Sequence, residues 1–266
     1  MILSFRKLIK VIYFFWTTSL ASELEYKLNF YIEILTVIGN IFGSIILLSI
    51  FYSKGDTLGG WNWQSALMVL GTYSILESFT ISLLQPNLNR IVKHVQNGTL
   101  DYILLKPIDT QIWISLRVVT PWGLPSLIAG ISLIIFGIFR QNLRIGIQSI
   151  MLTSLLLVSA IIILYSLWFV IATTSIWFVK TWNANEVLRS ILVAGRYPVS
   201  SFPPFLRTIF TFVIPIAFLT TIPVKPLLGL NEINSIFISI IFALILFFVS
   251  RRFWTFALKF YTSASS

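Results

Sequence analysis

The chain has 266 residues, of which 57% are hydrophobic and 11% are charged, and its formal net charge is +10. A water-soluble domain carries roughly 25% charged residues, so this composition excludes one. Cysteine is absent and His94 is the single histidine, which excludes a disulfide framework, an iron–sulfur cluster and metal sites built from thiolates or several imidazoles. The basic residues lie between long apolar runs, which favours a membrane protein over a nucleic-acid-binding protein.

The N-terminal segment, residues 1–27, has the pattern of an amphipathic helix. Its large apolar residues recur at helical spacing, and Arg6, Lys7 and Lys10 lie mostly off that face. The apolar residues are Phe5, Leu8, Ile9, Ile12, Phe15 and Trp16. We predict a helix lying in the cytoplasmic interface of the membrane. A cleaved signal peptide is the alternative, since residues 19–21 resemble a cleavage site, but the apolar stretch of about six residues is short for one.

Charge-free runs dominate the rest of the chain. They cover residues 34–53, 57–76, 118–139, 145–179, 208–224 and 233–250. A helix needs about 20 residues to cross an apolar core of roughly 30 Å, and five runs are near that length. The run 145–179 is too long, so we expect it to tilt or to break near Thr173-Thr174-Ser175. The sequence predicts one domain, residues 28–266, of six transmembrane helices.

Six spans place both termini on one side, and the Lys and Arg residues select that side. With cytoplasmic termini the inner segments hold fifteen of them, including Arg189 and Arg196 in a long cytoplasmic segment, residues 180–206, and Arg207 directly after it. The outer segments hold four. Because positive charge accumulates on the cytoplasmic side, both termini are predicted to be cytoplasmic. Membrane lipids with anionic headgroups are expected partners, and no nucleic acid is expected.

Small residues are spaced for close helix packing in the first two spans. Gly39 and Gly43 form a G-x-x-x-G pattern around Asn40 in span 1. Span 2 carries a further stripe, made of Gly71, Ser74, Ser78 and Ser82. Either pattern serves packing within the chain or, for span 1, a contact between subunits.

The fifth span is interrupted by proline. Pro215, Pro223 and Pro226 are followed by Gly229. Proline removes a helix hydrogen bond, and broken backbone at membrane depth persists only beside protein or a water-filled cavity. We predict a kink at Pro215 and then a short re-entrant or interfacial segment on the outer side, with a plain loop as the alternative.

The inventory of reactive groups does not favour an enzyme. Glu33 and Glu77 are the only carboxylates within or beside the spans, and neither has a neighbouring acid with which to form an acid–base pair. Glu77 is expected to face protein or water, either in a hydrogen bond within the bundle or in the path of a substrate. The chain has no Walker A sequence, so an ATPase for uphill transport would be a separate polypeptide.

Residues 85–107 carry the clearest turn signals between two apolar runs. The pattern predicts a helix from Pro86 to the Asn97-Gly98 stop, then a second short helix over Leu100–Leu105, capped by Thr99 and ended by Lys106-Pro107. Such a pair forms a sharp cytoplasmic elbow between spans 2 and 3 that can transmit a push. Two interfacial helices that merely cover headgroups are the alternative.

The same segment resembles the first cytoplasmic loop of the ABC-2 type transporter permeases, in particular a six-span bacterial subgroup of export permeases. The resemblance rests on the run Asn97-Gly98-x-Leu100-Asp101-x-x-Leu104-Leu105-Lys106-Pro107. Two further stretches, "GRYPVSSFPPFLR" at 195–207 and "FVIPIAFLTTIPVKPLLG" at 212–229, are similar to that subgroup as well. With the span layout, the similarity covers essentially the whole chain.

The resemblance implies a function and a set of partners. Such permeases act in pairs, as homodimers or with a sister permease, above two nucleotide-binding ATPase subunits that hold ATP and Mg²⁺; this chain itself would bind no cofactor. The segment from Asn97 to Pro107 would be the ATPase-coupling loop. Spans 1 and 5 would line the dimer interface and the substrate path, which places Asn40 and the span 5 prolines there. The N-terminal helix would sit at the gate, and the segment after span 5 would be a re-entrant extracellular gate.

The sequence therefore predicts an all-α integral membrane protein of the bacterial plasma membrane. It would be the permease subunit of an ATP-driven exporter, and its apolar span walls point to an apolar or amphipathic substrate. A passive channel or membrane scaffold is one alternative, and an intramembrane lipid-modifying enzyme is another.

Overall fold

The computed structural model describes residues 5–23, 25, 27–53, 55, 57–178, 182–230 and 232–262. These residues form helices and short connections, with a single isolated β-bridge between Leu58 and Trp61. The prediction of an all-α protein is confirmed.

Eleven helices are numbered here in chain order within the described residues. They are α1 (Phe5–Glu23), α2 (Lys27–Tyr52), α3 (Trp63–Gln96), α4 (Leu100–Leu104), α5 (Thr110–Leu116), α6 (Leu124–Arg140), α7 (Ile147–Thr173), α8 (Trp182–Leu192), α9 (Pro204–Val213), α10 (Ala217–Leu228) and α11 (Ile233–Ala257). Five of them, α2, α3, α6, α7 and α11, are long and apolar enough to cross a membrane. The pair α9 and α10 is equally apolar but bent by 77°.

The longest helix, α3, corrects the predicted boundary of span 2. The sequence suggested a span over 57–76 and a separate helix from Pro86, but α3 runs for 34 residues without a break. It contains a π-helical segment, Thr80–Leu84, directly before Pro86. The wider π turn accommodates the missing N–H of proline, so the helix continues where a regular α-helix would kink. At about 1.5 Å per residue, α3 is about 51 Å long and projects well beyond a 30 Å apolar core.

Helices α3 and α6 pack closely through glycine. A Cβ atom added at Gly71 would lie 2.7 Å from the carbonyl oxygen of Gly130, and one added at Gly130 would lie 2.6 Å from that of Gly71. Ser74 and Ser78 are buried along the same part of α3. The small-residue stripe of span 2 therefore packs within the chain.

The long fourth run ends as expected. The α-helix α7 stops at Thr173 and gives way to a 3-10 turn, Thr174–Ile176. Its inner half packs on α11, where Trp168, Phe169 and Trp254 are fully buried at the centre of the largest apolar cluster.

We call the end of the bundle that carries residues 57–62 the outer end and the end that carries residues 97–109 the inner end. Residues 182–201, which the sequence placed in the cytoplasm, instead run from one end to the other. Thr174–Ile176 contacts the inner part of α3. Tyr197, in contrast, packs against Phe51 with ring centroids 6.3 Å apart, and Ser201 Oγ donates to the Leu58 carbonyl over 3.5 Å, both at the outer end.

The bent pair α9–α10 begins and ends at the outer end. Arg207, near the start of α9, donates to the Ser200 carbonyl over 2.6 Å, and Val224 and Leu227 of α10 pack with Trp61. Because both ends of the pair lie at the outer end, we interpret it as a re-entrant hairpin and residues 182–201 as the fifth crossing. The sequence led to a different assignment because residues 182–201 carry Glu186, Arg189 and Arg196, whereas residues 208–224 of the hairpin carry no charge. On this interpretation the number of crossings remains six, and Tyr261, near the last described residue, lies beside Asp101 at the inner end.

Candidate functional site

The inner end carries the segment predicted to couple to an ATPase. Gly98 has φ +66°, a left-handed conformation that favours glycine, and it reverses the chain between α3 and α4. Leu100 is fully buried under α4, whereas the side chains of Tyr102 and Leu105 are 71% and 83% exposed. The turn thus fixes one face of α4 to the bundle and presents the other to solvent.

Two predicted roles within this segment are refined by the contacts. Thr99 occupies the N-cap position of α4, but its side chain makes no capping bond; its Oγ1 lies 2.8 Å from His94 Nδ1 instead. Asp101 lies near the Tyr261 hydroxyl at the end of the chain's last helix. Leu104, Lys106 and Pro107 are exposed and close the segment.

A polar network joins the following helix, α5, to two spans. Arg251 of α11 donates to both carboxylate oxygens of Asp109, over 2.8 Å at Oδ1, and also to Gln111 Oε1 over 3.2 Å. Gln111 Nε2 donates to the Tyr165 hydroxyl of α7 over 3.0 Å. Burial alone would raise the pKa of Asp109, but the bonds from Arg251 and from the Ile112 N–H hold that pKa below its usual value.

The N-terminal helix α1 lies against the same region. Phe15 stacks edge-on against Trp113 at 4.7 Å, Trp16 Nε1 donates to the Leu116 carbonyl over 3.1 Å, and Ser19 Oγ donates to the Val119 carbonyl over 2.9 Å. These contacts attach α1 to the connection between spans 2 and 3. They also satisfy backbone carbonyls where α5 ends.

A small cavity at membrane depth contains Glu77. Glu77 lies about 21 Å along α3 from Trp63, and it lines the cavity together with Arg189 of α8 and Ile216 of the hairpin bend. The cavity has a volume of about 30 Å³, enough for one or two water molecules but not for an organic substrate. No hydrogen bond between described residues involves the Glu77 carboxylate, so its nearest compensation is electrostatic, from Arg196 and Arg189.

Arg196 connects this cluster to span 1. Its Nη1 donates to Ser44 Oγ over 3.2 Å, and its guanidinium lies 5.1 Å from the ring centroid of Tyr73. Sequence reasoning missed Arg189 and Arg196 as partners of Glu77, because it read their segment as cytoplasmic. One signal was available in the sequence. A carboxylate at membrane depth such as Glu77 requires a compensating partner, and Arg189 and Arg196 were candidates for that role.

The remaining gate candidates separate into two environments. Pro215 lies at the bend between α9 and α10, whereas Pro223 and Pro226 are buried within α10 beside α7. Asn40 is exposed, and no atom of this chain's described residues lies within 4 Å of a Cβ added at Gly39 or Gly43. The G-x-x-x-G pattern of α2 therefore does not pack closely against another helix among the described residues.

Among the described residues, five helices long and apolar enough to cross a membrane and a bent apolar helix pair define a multi-pass membrane protein. The family model described as "ABC-2 family transporter protein" matches residues 38–265. The chain belongs to this family. It is therefore a membrane component of an ABC transporter and not the ATPase, and the family implies an ATP-binding partner in general. Neither a curated protein nor a solved structure matches the chain.

Proposed function

We propose that this chain is the permease subunit of an ATP-driven exporter in the bacterial plasma membrane, with both termini cytoplasmic. Separate nucleotide-binding subunits hold ATP and Mg²⁺ and dock on α4. The single observation that carries the proposal is the mounting of α4: an exposed apolar tip, Tyr102 and Leu105, on a fully buried base, Leu100. An exposed apolar tip at a membrane protein's aqueous end favours a protein partner.

A displacement of α4 can be transmitted to the membrane-spanning helices through two sets of contacts. One runs through Leu100 and Ile103 into the inner part of α3, against which both are buried. The other runs through α5 to α11, because the Asp109–Arg251 pair and the bond from Trp254 Nε1 to Thr110 Oγ1 (3.0 Å) hold these helices together. Coupling carried by packed side chains and ion pairs needs such contiguous contacts.

The substrate path is proposed to form between two permeases, this chain with a second copy or a sister permease. The exposed face of α2 around Gly39, Asn40 and Gly43 supplies this chain's wall, and a groove of about 440 Å³ beside it, between α2 and α6, is lined by apolar side chains. Apolar walls favour an apolar or amphipathic substrate. The hairpin bend at Pro215 closes the outer part of that path.

The test is purification of tagged protein from native membranes in mild detergent, with mass spectrometry and an ATPase assay of what accompanies it. We expect a near-stoichiometric nucleotide-binding subunit with the wild type. With the double variant Tyr102→Ala/Leu105→Asp, the amount of copurifying ATPase should fall at least about tenfold. Truncation of central apolar anchors in an interface typically costs about 2 kcal/mol or more of binding free energy.

Leu230→Asp is the matched control, since Leu230 is an exposed leucine at the outer end. It should retain the ATPase fully. The proposal fails if the wild type arrives without an ATPase under several conditions, or if the Tyr102→Ala/Leu105→Asp variant retains both the ATPase and transport.

A further inference from the structure

A basic pocket lies at the inner end, between α3, α4 and α5. It has a volume of about 270 Å³, and its polar lining includes Arg90, His94, Lys106 and Arg117. No aspartate or glutamate is among the described residues that line it. Four groups able to carry positive charge thus converge on one space without a carboxylate.

Two of the cations in this pocket, Arg117 and Lys106, lie against aromatic rings and form no ion pair with a described acid. The Arg117 guanidinium lies 4.2 Å from the ring centroid of Phe15 and 5.6 Å from that of Trp113, and Lys106 Nζ lies 4.6 Å from that of Trp113. The two ion pairs found among the described residues, Lys225–Glu232 and Asp109–Arg251, lie elsewhere. Cation–π contacts orient these groups but leave their charge uncompensated.

Arg90 and Arg117 also act on each other. Burial, and then the neighbouring charge of Arg90, lower the pKa of Arg117 from its ordinary value. Holding two guanidinium groups together in a partly buried site is unfavourable unless an anion lies between them. The fork-shaped guanidinium matches the oxygens of a phosphate better than any other common anion except a carboxylate.

The depth of the pocket indicates where that anion comes from. Arg90 lies 27 residues beyond Trp63, about 40 Å along α3, whereas the apolar core of a bilayer is about 30 Å thick. The pocket is therefore at headgroup level. The helix α1 borders it through Phe15 and exposes Tyr13 and Phe14, at 70% and 63%, as an interfacial helix does.

We propose that this pocket binds the phosphate of an anionic phospholipid headgroup from the inner leaflet, with Arg90, Arg117 and Lys106 as the contacting residues. The acyl chains of the lipid follow the apolar surface of α1. The bound lipid fastens α1 and α5 to the membrane beside the coupling segment. This inference goes beyond transport and requires neither an ATPase nor a substrate.

The test is native mass spectrometry of the detergent-purified full chain, titrated with phosphatidylglycerol and, separately, with zwitterionic phosphatidylcholine. We expect one tightly held phosphatidylglycerol and no equivalent phosphatidylcholine. Arg90→Gln/Arg117→Gln should bind phosphatidylglycerol about 25-fold more weakly, since each such residue near an anionic lipid contributes a factor of about five. The charge-matched control Arg252→Gln/Lys259→Gln removes two exposed cations of the last helix and its following turn and should bind normally.

Arg90→Lys/Arg117→Lys separates loss of charge from misfolding, because it keeps both charges and should recover most of the binding. Equal binding of the two lipids, or unchanged binding in Arg90→Gln/Arg117→Gln, overturns the proposal. Displacement of the lipid by millimolar inorganic phosphate would assign the pocket to a free anion. Unchanged lipid binding with loss of the copurifying ATPase would assign it to an acidic side chain of the partner. Either result contradicts the lipid site.

Discussion

At the residue scale, Asp109 and Arg251 join parts of the chain that are 142 positions apart. The Asp109 side chain is 20% exposed and that of Arg251 is 40% exposed, so solvent screens the pair only in part. A fully exposed pair would contribute little. This pair has bidentate geometry, Arg251 also donates to Gln111, and Asp109 also accepts from the Ile112 N–H. We therefore expect the pair to stabilise the fold.

Replacing Asp109 by Asn should therefore destabilise the protein by about 1–2 kcal/mol, because a charged hydrogen bond is lost and Arg251 keeps its charge. Thermal unfolding in detergent measures the change. Arg252→Gln is the control, since Arg252 is exposed and its guanidinium lies 4.8 Å from the ring centroid of Phe248. An equal loss in Arg252→Gln would show that charge alone, and not the pair, matters.

The same pair has a definite pH dependence. The pKa of Asp109 in the folded state is below the ordinary value for aspartate, about 3.9. The contribution of the pair to the free energy of unfolding is therefore fully present above that value and is lost as the pH falls through the folded pKa. The stability difference between wild type and Asp109→Asn should stay constant from pH 7 to pH 5 and shrink below about pH 4. A difference that already shrinks near pH 6 would contradict this assignment.

At the scale of the element, α3 decides the layout of the inner end. Its π segment before Pro86 lets one helix carry Glu77 at membrane depth and Arg90 at headgroup level. Asn87 then fastens the end of α5 to it, donating to the Val118 carbonyl over 2.6 Å and accepting from the Val118 N–H over 2.8 Å. A break at Pro86 would detach the coupling segment from the span that it is proposed to move.

The contact between α3 and α6 gives a test of packing at this scale. Gly71→Ala places a methyl group 2.7 Å from the Gly130 carbonyl oxygen, which forces the two helices apart and should cost about 1–3 kcal/mol. Gly39→Ala is matched in chemistry and in helical setting, but its methyl group meets no described atom of this chain within 4 Å. Alanine should be neutral or slightly stabilising there, by up to about 1 kcal/mol. Melting of the two variants in monomeric form distinguishes them, and equal melting temperatures would refute the packing argument.

At the scale of the whole molecule, the exposed faces indicate what one chain lacks. Most of the exposed apolar surface of α11 and α6 suits lipid, but α2 combines exposure with two glycines and an asparagine. An exposed amide is unfavourable against hydrocarbon and favourable against another polar surface. This is the support for placing a second permease on α2.

The absence of native cysteine allows a clean test of that placement. If the second permease is a copy of this chain, Gly39→Cys should form a disulfide-linked dimer in membranes under a mild oxidant. Ile241→Cys, on the exposed face of α11, should not. A dimer that persists in solution while Gly39→Cys fails to cross-link would place the interface elsewhere.

The sequence by itself determined the helices and the class of protein. Transfer of a side chain from water to lipid is a local property, so the charge-free runs gave five of the crossings and the break at Thr173. Proline and glycine restrict or extend the backbone conformation at their own positions. The sequence therefore predicted the bend at Pro215 and the turn at Gly98. The motif around residues 97–107 gave the family through resemblance, and the match over residues 38–265 confirms it.

Only the tertiary structure decided the path of residues 182–228. The charges of residues 182–201 predict a cytoplasmic segment, and only the structure places Arg189 and Arg196 near Glu77. The apolar composition of residues 208–224 predicts a span, and only the structure places both ends of the hairpin near residues 58–61. The pairing of Asp109 with Arg251, and the meeting of Arg90 with Arg117, were likewise undetermined. Each depends on free energy shared between residues that are distant in the chain, and spacing along the sequence does not encode those distances.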